Sequence, residues 1–124
     1  MNQTILHELE AALRQERARL VGELSAIAKP DPRAPGRWDT RFPKFEAVET
    51  GSHAAEDEEA DEVEEYEVRL AEEGSLETRL LAVTRALERI AKGGYGLCVS
   101  CKKPIPLQRL RANPAAEYDI SHTP

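Results

Sequence analysis

Aromatic residues are scarce in this chain: one Trp, two Phe and three Tyr, 5% of 124 residues. So little bulky apolar surface does not fill a large globular core. Cysteine is scarcer still. Cys98 and Cys101 are the only two, which excludes a disulfide framework. No run of about 18 apolar residues occurs, so no membrane-spanning helix is expected. The stretch Met1 to Leu13 has no basic lead-in and no long apolar run, so no signal peptide is expected and the cytosol is the expected compartment. Positive charge is also short. The net charge is −6, which disfavours direct DNA binding, because phosphates are neutralised by Lys and Arg. Nor does the chain show a nucleophile–base pair, a phosphate-binding loop or a paired-carboxylate cleft. An enzyme is not expected.

What remains is a chain rich in charge, at 32% Asp, Glu, Lys and Arg, a composition suited to long helices. Residues 5–28 read as the first. Leu6, Leu13, Leu20 and Ile27 recur every seven residues, and Leu9 and Leu24 widen the stripe. Asn2 or Thr4 can cap its start, and Lys29-Pro30 ends it. Residues 30–54 form a long connection broken by Pro30, Pro32, Pro35, Gly36, Pro43 and Gly51. It also holds Trp38, Phe42 and Phe45, so docking of residues 38–43 on the helices or on a partner is expected.

Residues 55–92 read as a second helical stretch. Val63, Tyr66 and Leu70 form one stripe; Leu76, Leu80, Val83, Leu87 and Ile90 form another. Gly74-Ser75 lies between them and predicts a kink or break, since glycine costs about 1 kcal/mol inside a helix. Gly93-Gly94 stops the helix. The expected fold is mainly α: an antiparallel helical hairpin of coiled-coil type over residues 1–92, then a small finger-like module over 93–124. The stripe on the first helix also allows pairing between chains, so a monomer or a homodimer is expected.

Between Glu56 and Glu67 every charged residue is acidic, including Glu58 and Asp61. Like charges at helical spacing repel, and acids near a helix start recover part of that cost. This run is either a solvated face or an acidic tip that presents carboxylates to a basic or metal-bearing partner.

The most specific stretch is Gly94-Tyr95-Gly96-Leu97-Cys98-Val99-Ser100-Cys101-Lys102-Lys103-Pro104-Ile105. A C-x-x-C knuckle aims two thiolates at one metal, and Gly96 and Pro104 suit its tight turns. With Ala86-Leu87-Glu88-Arg89-Ile90 before it and Arg109-Leu110, Ala112 and Pro114 after it, the stretch resembles the DksA/TraR zinc-finger family. The resemblance is close over residues 76–122. It implies a metal held by four cysteines, with a second C-x-x-C seventeen residues after the first. Here those places hold Asp119 and His122. Both are zinc ligands in other proteins, so one zinc ion on Cys98, Cys101, Asp119 and His122 is one expectation. The other is a metal-free module with two reduced thiols, held by Tyr95, Ile105, Leu107, Leu110 and Ile120.

Characterised members of this family bind bacterial RNA polymerase and not DNA. Their hairpin enters the secondary channel with acidic residues at its tip, and some act with the alarmone ppGpp. The resemblance therefore implies a transcription regulator. It departs from the family's tip motif, Asp-x-x-Asp-x-Ala, where this chain has Glu58-Glu59-Ala60-Asp61-Glu62-Val63. The alternative expectation is a small adaptor that binds another protein through the finger-like module and the Trp38/Phe42/Phe45 loop.

Overall fold

The computed structural model describes residues 1–34, 36–40 and 53–122. In chain order, α1 spans Gln3–Ile27, β1 Ala28–Pro30, β2 Trp38–Thr40, α2 His53–Lys92 and α3 Leu107–Ala112, followed by a 3₁₀ turn at Ile120–His122. The chain divides into two compact units, Met1–Val21 with Thr78–Pro124, and Gly22–Glu77.

Asn2 caps α1: its Oδ1 accepts the Thr4 N–H at 2.7 Å, which satisfies one of the orphan donors of the first turn. In the first unit, α1 and the end of α2 run antiparallel. Glu16 meets Arg79, while Arg14 and Arg17 share a groove with Leu87, Glu88 and Ala91. Leu9, Leu13 and Leu20 of α1 and Leu80, Val83 and Ala86 of α2 are all buried. Arg79 reinforces the pair. Its guanidinium donates to both oxygens of Glu16 at 2.6–3.0 Å and to Asn113 Oδ1 at 2.9 Å. Two parallel N–H···O contacts of this kind are the strong form of an Arg–carboxylate pair.

The buried line on α2 is Glu73, Glu77, Leu80, Val83 and Ala86. It differs from the expected line through Leu76, Leu87 and Ile90, which are half-buried on its flank. Ala86 takes the inner place, where a small side chain lets two helices approach. The expected break at Gly74-Ser75 is absent, and α2 is continuous. One glycine costs about 1 kcal/mol, which packing of the surrounding turns outweighs. Of the expected stripe, Val63 and Leu70 are exposed, at 51% and 42%, and Tyr66 is half-buried.

In the second unit, the end of α1 buries Leu24 and leads into Ala28, also buried. The helix stops at Ile27, one residue before the expected end, because the residues before Pro30 are steered to extended backbone. Ala28–Pro30 then pairs antiparallel with Trp38–Thr40, in the register Ala28 with Thr40 and Pro30 with Trp38. The described part of the long connection, up to Thr40, is thus a small hairpin where irregular chain was expected. Trp38 is half-buried on it. Phe42, Pro43 and Phe45 lie outside the described residues.

Candidate metal centre

The centre begins where α2 stops. Gly93 has φ +87°. The Gly94 N–H donates to Arg89 O at 2.9 Å and the Gly93 N–H to Ile90 O at 3.3 Å. This is the paired glycine stop expected from the sequence, since only glycine takes that left-handed position without a Cβ penalty. The chain then turns through Gly96, at φ +88°, where an added Cβ would lie 2.8 Å from Met1 Cε.

The knuckle follows. Leu97 bridges Pro104, the Cys98 N–H donates to Lys103 O at 2.8 Å, and the Lys102 N–H to Cys98 O at 2.9 Å. Lys102 sits at φ 64° to close the turn. Three contacts fold the following chain back on it. The Val99 N–H donates to Glu117 O at 2.8 Å, Tyr95 OH to Pro114 O at 2.7 Å, and Arg109 Nε to Tyr118 O at 2.8 Å. Beneath lies an apolar core of Leu9, Cys98, Ile105, Leu110 and Ala116, with Ile5, Tyr95, Leu107 and Tyr118 packed around it. Tyr95, Ile105, Leu107 and Leu110 are thus where the sequence put them. Ile120 is not: it is 75% exposed, because the 3₁₀ turn that aims Asp119 and His122 inward points Ile120 out. Leu9 and Ile5 were not expected here. Their helix reads as half of a hairpin, and nothing in its period says that its first turns pack on the finger.

One potential ligand atom from each of Cys98, Cys101, Asp119 and His122 lies within 4.8 Å of the others. A tetrahedral zinc with ligands about 2.0–2.3 Å away separates them by roughly 3.3–3.8 Å, so a contraction of roughly 1 Å closes the set. Among the described residues this is the one convergence of three or more such groups.

The electrostatics favour the ligating form at Cys98 and Asp119 and the protonated form at Cys101 and His122. Burial pushes the Cys98 thiol up, but N–H groups of Asp119, Cys101 and Ser100 and the Cys101 thiol outweigh it and bring the pKa down to about 7. That favours the thiolate, the form that binds metal. The Lys103 N–H pulls the Cys101 thiol down; burial, Cys98 and Asp119 override it, and the thiol ends raised. It contacts Asp119 Oδ2 at 3.4 Å. The hydrogen bond from His122 holds the Asp119 carboxyl below its usual range, and Asp119 raises His122 in return. Their ring nitrogen and carboxylate oxygen, Nδ1 and Oδ1, are 2.7 Å apart. Zinc on this set would supply structure rather than reactivity, tying the knuckle to the segment after α3.

Glu58 and Asp61 fall in α2, and their side chains lie outside the described residues. By position they belong to the unit Gly22–Glu77, and the four candidate ligands to the other.

A helical pair carrying a knuckle finger defines the class. Residues 93–118 match the model of the prokaryotic dksA/traR C4-type zinc finger family. The match includes Cys98 and Cys101 and stops one residue before Asp119, where the second ligand pair departs from four cysteines. The structure of transcription factor DksA2 from Pseudomonas aeruginosa aligns at a TM-score of 0.65 with 24% identity, covering 98% of this chain and 81% of that one. No curated protein matches. The finger is therefore of the dksA/traR type, and the fold is DksA-like. No helix among the described residues is long and apolar enough to cross a membrane.

Proposed function

We propose that this protein is a DksA-type transcription regulator that binds RNA polymerase through the secondary channel, with one zinc ion on Cys98, Cys101, Asp119 and His122. The observation that carries the reading is the extent of the DksA-like fold, which covers 98% of the chain and ends in a finger of the same family. A family finger on an unrelated body would support only protein binding in general. The negative net charge fits a role that does not rest on direct DNA contact. The acid-rich start of α2, with Glu58 and Asp61, is the part that would approach the polymerase active-site region, and the cytoplasm is the compartment such a role requires. No catalytic step is assigned to the protein.

The test is binding of the full chain to purified bacterial RNA polymerase, with initiation assayed beside it. Submicromolar binding is expected, and Asp61→Asn should abolish the effect on initiation while leaving thermal stability within about 0.5 kcal/mol. No affinity at micromolar concentration would sink the polymerase reading and leave the adaptor alternative.

A further inference from the structure

The second unit contains a group of charges that the metal centre and the polymerase reading do not use. Glu73 and Glu77 stand one turn apart on α2 and are only 8% and 7% exposed. Oε1 of each is buried without a hydrogen-bond partner. Arg37, from the segment between β1 and β2, places Nε 2.6 Å from Glu77 Oε1. Its N–H is not aligned on that oxygen, so the contact is an ion pair and not a hydrogen bond. Of the two buried carboxylates, Glu77 is the one in contact with the guanidinium. Among the described residues the second buried carboxylate has no cation of its own, which is costly when it is ionised, and two neighbouring ionised carboxylates repel further.

We infer that Glu73, Glu77 and Arg37 form a proton-operated clasp: a proton shared between the two carboxyls lets the β1–β2 segment close on α2, and loss of that proton loosens it. With the proton on Glu73, its carboxyl becomes a donor to Glu77. Arg37, on Glu77, then balances the single remaining charge. A metal ion is the wrong occupant, because three ligating groups do not converge here and a guanidinium already lies on Glu77.

The surrounding charges agree. Burial, above all, raises the Glu73 carboxyl; the hydrogen bond and charge of Glu77 raise it further, Arg37 lowers it and Asp39 on β2 raises it, to about 7. From α1, Glu23 shares with Glu72 the groove next along the helix. A folded-state pKa above the unfolded one means that the native state holds the extra proton. The clasp therefore contributes its full stability below about pH 4.5 and loses it as pH rises through about 7. The device is independent of the polymerase reading and stands if that reading fails.

Trp38, the single Trp of the chain, reports on it from β2 next to Arg37. The experiment is a titration of the full chain from about pH 5 to about pH 9, following the Glu73 carboxyl by ¹³C NMR and Trp38 by fluorescence. The expected Glu73 midpoint lies near 7, with Trp38 emission moving at the same midpoint. Glu73→Gln, which keeps the hydrogen-bonding shape without the charge, should hold the low-pH emission throughout. Arg37→Gln removes the one lowering charge and should move the midpoint upward. A Glu73 midpoint in the ordinary carboxyl range, or a Trp38 transition that persists in Glu73→Gln, overturns the clasp.

Discussion

The two units are held together by different forces. In Met1–Val21 with Thr78–Pro124, the interior is apolar: Leu9, Leu13, Leu20, Leu80, Val83, Ile105 and Leu110 are buried. Among the described residues of Gly22–Glu77, the buried apolar ones are Leu24 and Ala28, and the buried pair on α2 is two glutamates. Val63, Val68 and Leu70 stay exposed there. Apolar burial is insensitive to pH and forgiving of direction. A buried carboxyl pair depends on a proton and on geometry. The finger unit is therefore expected to be insensitive to pH, and the clasp places the pH response in the other.

The sharpest way to break this comparison is to remove one apolar side chain from each unit. Leu110 is fully buried in the finger core, so Leu110→Ala should cost about 2–5 kcal/mol, lost transfer energy plus a cavity. Leu70 is 42% exposed, and Leu70→Ala should stay within about 0.5 kcal/mol. Urea unfolding reads both. Equal losses would show that Leu70 is buried in solution, for example between two copies of the chain.

Zinc comes next in size. The apolar core beneath the knuckle is closed by Leu9, Ile105, Leu110 and Ala116, none of which is a ligand. Chelation should therefore leave helicity intact and lower stability by about 2.7 kcal/mol relative to zinc at about 100 times its Kd. Metal analysis of protein purified without chelator should give one zinc per chain. Cys98→Ser should lose it, and His122→Ala should hold it more weakly. Protein without zinc sinks the four-ligand assignment. Undiminished affinity in His122→Ala removes His122 from the set.

These two predictions concern regions that the sequence revealed unequally. The finger was legible because its signals are local. A glycine stop, a C-x-x-C and a proline lie within a dozen residues, and each has a mechanical role that the structure repeats. Asp119 and His122 were found through family spacing, and their convergence with the cysteines follows that spacing. The glutamate pair was missed because apolar periodicity ignores acids. Stepping back from Leu80 by three and by seven residues lands on Glu77 and Glu73, so the helical period alone placed them on the buried line. Arg37 could not be found this way: its approach to Glu77 depends on a strand pair whose members are three residues each, too short for any period to show.

The smallest expected effect decides whether the responsive unit is also a bending one. Gly74 lies inside α2, and a Cβ added there meets nothing within 4 Å. With helical backbone and open space, Gly74→Ala should stabilise the protein by about 0.5–1 kcal/mol, mainly by restricting the unfolded chain. Gly22, in α1 at the start of the same unit, is equally open and should behave the same way. The two sites share no neighbour that either new methyl touches, so the gains should add. Thermal unfolding of the single and double variants measures this. A loss of stability on Gly74→Ala would mean that α2 is bent there in solution, as the Gly74-Ser75 sequence alone implies. A gain in stability with weakened polymerase binding would be more informative. It would show that the glycine is kept for movement on binding, at the expense of the helix it interrupts.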